Sequence, residues 1–132
     1  MYKKTLLFGS LSGALAVALG AMGAHLLGPR LGPANLQIFE TAVRYQMYHS
    51  LLLVTLGLAA PQIPSRALDA ASKLFQAGIF LFSGSLYLLA IRPLMGVADD
   101  QLKWIGIFTP VGGLAFLCGW AGLFIFALKL KK

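Results

Sequence analysis

Four long apolar stretches dominate this 132-residue chain and leave few alternatives for its fold. They are Thr5–Leu27, Thr41–Ala60, Leu74–Ile91 and Trp104–Leu128. Arg44 is the only Lys, Arg, Asp or Glu inside them. A bilayer core takes about 20 helical residues to cross. Without water in that core, a segment must satisfy its own backbone, so each stretch is read as a helix. The expected fold is all-α, one integral membrane bundle of four transmembrane helices in a single domain, 1–132. Composition agrees: 58% of residues are hydrophobic and 11% charged, with a mean hydropathy of +0.80. Soluble domains carry about 25% charged residues to cover their surface.

Turn residues divide the helices. Gly28-Pro29 ends the first, and Pro33 with Asn35 as N-cap opens the second. Pro61 closes the second. Ser65 caps the third, with Asp69 and Lys73 at the favourable i,i+4 spacing. Arg92-Pro93 ends the third, and Asp99 or Asp100 caps the fourth. Residues 1–24 imitate a signal peptide, with Lys3 and Lys4 ahead of an apolar segment. That segment outruns the usual length of about 7–15 residues, so it is read as an uncleaved span.

The net charge is +7. Its lysines flank the apolar runs and form no stripe interleaved with base-stacking aromatics, so the partner they indicate is the lipid bilayer and not nucleic acid. The N-terminus, second loop and C-terminus carry seven basic residues: Lys3, Lys4, Arg66, Lys73, Lys129, Lys131 and Lys132. The other side carries Arg30, Arg92 and Lys103, with Arg44 as a fourth if it reaches that interface. The positive-inside rule then places both termini in the cytoplasm, N-in/C-in. No transit peptide is visible, so a bacterial plasma (inner) membrane is the expected location.

Small residues mark helix contacts. On the first span, Gly9, Gly13, Ala16, Gly20 and Gly23 share one face and Ser10, Ala14, Ala18, Ala21 and His25 another. Two such faces predict a central helix flanked on both sides. The fourth span has a matching stripe of Gly112, Ala115, Gly119 and Gly122. Pro110 removes a backbone donor and predicts a kink near Gly106.

The least expected stretch is TAVRYQMYHS, 41–50. At 100° per residue, Thr41, Arg44, Tyr45, Tyr48 and His49 fall in a wedge of about 140°. Gln76, Phe80, Ser83 and Tyr87 share a face of the third helix. Polar groups are costly in lipid, so both faces should turn inward. Arg44, Tyr45, Tyr48, His49, Gln76, Ser83 and Tyr87 form the candidate intramembrane polar cluster, with Tyr48, His49, Ser83 and Tyr87 as its hydrogen-bonded network. Arg44 can snorkel to the interface with Glu40 as partner. His49 lies deeper, about 12 Å below Thr41, and a structural neutral histidine is the favoured account. His25 reads as interfacial.

Catalytic chemistry finds little support. No carboxylate lies inside a span, which leaves no paired-carboxylate site. His49 with Ser83 or Ser85 lacks an orienting acid. Two histidines and Cys118 on three helices do not make a zinc site. Haem held between His25 and His49, or a quinone in a Tyr/His pocket, stays as an alternative. A small oligomeric transporter or channel is another, suggested by the polar faces and Pro110.

The motifs GAMGAH (20–25), TAVRYQMYH (41–49), LFSGSLYLLA (81–90), TPVGG (109–113) and GW (119–120) together resemble the small bacterial membrane proteins of domain-of-unknown-function family 423, the YgdD-like group. The resemblance covers about residues 5–128. It implies a four-helix protein of the bacterial inner membrane, and it implies no activity, cofactor or catalytic residue. The leading expectation is a non-enzymatic protein with an accessory, structural or partner-binding role, acting with a membrane-protein partner or as a homo-oligomer.

Overall fold

A computed structural model describes residues 2–63, 65–98 and 100–130. These residues form four long helices and no strand. α1 is Tyr2–Leu27, α2 Pro33–Ala59, α3 Arg66–Met95 and α4 Lys103–Leu128. α1, α3 and α4 are long and apolar enough to cross a membrane. α2 is long enough, at 27 residues or about 40 Å. Its polar first half lowers its hydropathy, so composition alone marks three of the four expected spans.

Local chemistry explains most of the ends. α1 closes in a π-helical turn, Gly23–Leu27, and stops at Gly28. α2 starts earlier than expected, with Pro33 in its first turn after an extended Gly32, and Asn35 lies inside the helix rather than capping it. Proline fits there because its missing N–H would have no helical acceptor. Ser65 caps α3 as expected, its hydroxyl accepting from Ala67 N–H at 3.1 Å. Lys73 and Asp69 pair at 3.0 Å. α3 passes through a π-helical turn, Ile79–Ser83, and ends in a 3-10 turn, Arg92–Met95. Gly96 terminates it at φ +67°, a left-handed conformation that glycine adopts without strain.

The start of α4 differs from the sequence expectation. Leu102 occupies the cap position and Asp100 does not cap it. Asp99, the other expected cap, lies outside the described residues, as do Lys131 and Lys132 from the charge count. Pro110 does not interrupt a long α-helix. Lys103–Ile107 is 3-10 and the α-helix begins at Phe108, so Pro110 stands in its first turn. The donor that proline lacks is the one Gly106 would have received, and the chain resolves this by winding the preceding turn as 3-10.

Two glycine-stitched antiparallel pairs make the bundle. Between α1 and α2, Gly23 meets Phe39, Gly20 meets Val43, Gly13 meets Ser50, Gly9 meets Val54 and Gly57 meets Leu6. The numbers in each pair add to 62 or 63, as an antiparallel register requires. A Cβ on Gly57 would stand 2.9 Å from the Leu6 backbone. Between α3 and α4, Gly78 faces Phe116, Gly112 faces the backbone of Phe82 and Gly119 faces Phe75. These are the close approaches that small residues permit between helices in lipid.

α2, not α1, is the central helix: it packs on α1 and on α3 and stacks His49 against Phe116 of α4. One small-residue face of α1 is used, with Gly9, Ala16 and Gly23 buried. The other, Ser10, Ala14, Ala18, Ala21 and His25, is exposed. Small residues on a helix permit a neighbour without supplying one, so the second face of α1 has none among the described residues and α1 is not flanked on both sides. Leu53, Leu56, Leu68, Phe75, Ile79 and Phe116 join α2, α3 and α4 in one apolar core.

Candidate functional site

The polarity of the second helix separates onto two sides. Gln46 is the residue that the helical wedge left out, and it organises the interior. Its Nε2 donates to the Ser12 carbonyl at 2.9 Å and lies 3.3 Å from the Ser12 hydroxyl. Its Oε1 accepts from Tyr87 O–H at 2.8 Å. The Ser50 hydroxyl donates to the Gln46 carbonyl at 2.6 Å and lies 2.8 Å from the Ser12 hydroxyl. One set of bonds thus joins α1, α2 and α3, and both ends of the Gln46 amide are used. Ser12, Gln46 and Ser50 are all buried. The signal was present in the sequence: Gln46, Ser50 and Leu53 follow 4-3 spacing opposite Tyr45 and Tyr48, and Ser12 lies on the small-residue helix. A groove of about 370 Å³ between α1 and α3 reaches this network, walled by Leu11, Leu15, Ile79 and Phe80.

His49 is buried at 4% exposure on a different side. Its Nδ1 lies 2.8 Å from the Tyr45 carbonyl, and its Nε2 accepts from Trp120 Nε1–H at 3.3 Å. These roles fit one neutral tautomer, with the proton on Nδ1. The ring stacks on Phe116 at 3.6 Å and 5°. Tyr45, Phe75, Phe82 and Trp120 extend an aromatic cluster around that stack. Beside it a groove of about 610 Å³ opens between α2 and α4, lined by Tyr45, His49, Phe82, Pro110, Gly113 and Trp120, among others.

The expected four-residue network does not form. Tyr48 is 58% exposed and Tyr45 40% exposed, whereas the wedge turned both inward. Tyr87 pairs with Gln46 and His49 with Trp120, so they belong to separate sets. Ser83 is buried at 1% exposure, and its hydroxyl has no hydrogen-bond partner among the described residues. Gln76 is half-buried nearer the start of α3. A further inter-helix bond that sequence reasoning missed joins Ser85 and Thr109 at 2.7 Å. Arg44 and Glu40 are exposed and line a shallow groove with Gly20, Gly23 and Phe39. No ion pair within 4.0 Å links them among the described residues. His25 is exposed at the end of α1 while His49 is enclosed by rings, so the two do not face one another across a common pocket. Among the described residues, no three His, Cys, Asp or Glu side chains cluster as metal ligands would.

The helix lengths, the apolar exterior and the polar groups sequestered between helices define a multi-pass, all-helical membrane protein. The chain belongs to the family described as protein of unknown function (DUF423), whose profile matches residues 19–113. It is 37% identical over 127 residues to the UPF0382 inner membrane protein YgdD of Escherichia coli (strain K12), a match covering 96% of this chain and 91% of that protein. It is 37% identical over 128 residues to the UPF0382 membrane protein YwdK of Bacillus subtilis (strain 168), covering 96% and 98%. A UPF0382 membrane protein of Staphylococcus epidermidis is 39% identical over 127 residues, covering 96% and 97%. No solved structure matches the chain.

Proposed function

We propose that this is a non-enzymatic accessory protein of the bacterial inner membrane, with all four helices crossing the bilayer and both termini in the cytoplasm. The observation that carries the reading is how the interior polar groups are used. Gln46, Ser12, Ser50 and Tyr87 bond one another, as do Ser85 with Thr109 and His49 with Trp120. Polar side chains engaged this way fix helix positions, and they offer a substrate little unless those bonds are first broken. The transporter or channel alternative drew on the polar faces of α2 and α3 and on Pro110; of those residues Tyr87 is taken up by Gln46 and His49 by Trp120. The spanning of α2 is supported by its antiparallel register with α1 from Phe39 to Gly57. The orientation is supported by the basic residues at the termini and second loop.

Affinity purification from native membranes in mild detergent tests the role. A stoichiometric membrane partner or a homo-oligomer is the expected result, and a lone monomer would count against it. A reporter fused after Lys132 is expected to be active only as a cytoplasmic fusion.

A further inference from the structure

We propose that the groove between α2 and α4 binds a membrane-soluble quinone: a flat ring with carbonyl oxygens on an apolar tail. The inference rests on α2 crossing the bilayer and goes beyond the accessory role. Tyr45 lines this groove, and the Tyr48 ring, outside the lining, lies 6.2 Å from the Tyr45 ring. Both side chains are exposed, and neither hydroxyl has a hydrogen-bond partner among the described residues. Their depth makes this costly. The Tyr45 ring sits 4.7 Å from Phe82 and 6.3 Å from Phe116. Those two residues lie within two positions of the midpoints of α3 and α4. Near that level a phenol has a shorter reach to water than the adjacent Arg44 side chain, which can snorkel to the interface. An unpaired hydroxyl in hydrocarbon costs on the order of 2–7 kcal/mol.

The occupant must therefore bring acceptors to the middle of the bilayer. An acyl chain has none, and phospholipid esters sit at the interface. A quinone ring carries carbonyl oxygens into the core. The walls suit a flat ring, because Tyr45, Phe82, Phe116 and Trp120 present aromatic faces and edges. Gly113 and Pro110 keep the α4 side open. The volume of about 610 Å³ falls in the range of small-molecule sites, about 300–1,000 Å³.

Trp120 lines the groove, and Trp104 is the other tryptophan in the chain. The full-length Trp104→Phe protein in lipid nanodiscs therefore reports from the groove. Titration with a dimethoxy-methyl-benzoquinone carrying a decyl tail is expected to quench its fluorescence saturably. Adding Tyr45→Phe and Tyr48→Phe removes only the two hydroxyls, leaves the protein folded and should weaken binding about tenfold, as two hydrogen bonds would. Decylbenzene, with the same tail and no carbonyl, should compete at least tenfold less well. Quenching that rises linearly, or that is the same with and without the hydroxyls, would overturn the site. So would equal competition by decylbenzene. A Tyr48→Cys protein that cross-links between copies, with no saturable quinone binding, would assign the face to a second copy instead. Cysteines placed at Gly32 and Gln62 and labelled from each side test the crossing of α2 separately. With those loops on opposite sides, a failed titration counts against the quinone site alone.

Discussion

Gln46 is where one side chain decides the most. It is buried, bonds to α1 and α3 at once, and leaves no polar atom of its amide idle. Replacing it by alanine strands Tyr87 O–H and removes the second bond to the Ser12 carbonyl, which keeps its helical one. Inter-helix hydrogen bonds in membrane proteins average about 0.6 kcal/mol and reach about 1.7. Gln46→Ala should therefore destabilise by about 1–2 kcal/mol, and Tyr87→Phe by about 0.6 kcal/mol, in detergent unfolding titrated with SDS. In the double variant the losses should not add, because both remove the same bond. His49→Phe keeps the stack on Phe116 but removes the acceptor for Trp120 N–H. The expected sign is a blue-shifted Trp120 emission in the Trp104→Phe background, with a stability loss of about 1 kcal/mol. An unchanged spectrum would show that the His49–Trp120 bond is not formed in the membrane.

At the scale of elements, the glycines separate into those that permit a contact and those that do not. Gly9 and Gly57 hold α1 against α2, and a Cβ at either position would reach 2.9 Å from neighbouring backbone. Backbone cannot step aside as a flexible side chain can, so Gly57→Ala should cost about 1–3 kcal/mol. Gly122 belongs to the same sequence stripe as Gly112 and Gly119, yet a Cβ there meets nothing within 4 Å. Gly122→Ala should be neutral or slightly stabilising, since alanine is the better helix former. Thermal unfolding in detergent compares the two directly. The stripe was legible in the sequence, but which member faces a neighbour was not. That depends on where α3 lies, and periodicity on α4 alone does not contain it.

For the whole molecule, the two hairpins α1–α2 and α3–α4 meet through α2, and the arrangement predicts what the bilayer touches. Cys118 is exposed on α4, on a surface otherwise built of Leu114, Leu117 and Phe124. In intact membranes a charged maleimide should leave it unmodified, and after unfolding in SDS the same reagent should label it fully. Labelling in intact membranes would place that side of α4 against water and contradict the bundle's immersion.

The class of molecule, the helices, their number and most of their ends were legible in the residues alone. Hydrocarbon forbids unpaired backbone, and proline, glycine and serine act within a few residues of where they stand, so Ser65 and Pro61 mark boundaries locally, while Pro93 marks the change to a 3-10 turn that Gly96 ends. The same local logic misjudged TAVRYQMYHS. A wedge of 140° on α2 was wide enough to look like one inward face, and it treated Tyr48 and His49 as companions. The packing of the helices gives α2 neighbours on three sides, with α1 and α3 meeting Gln46, α4 meeting His49, a groove at Tyr45 and an exposed Tyr48. The reason is that a helix's own sequence sets which residues share a direction. Only the positions of the other helices decide whether that direction holds a partner, an apolar core or lipid.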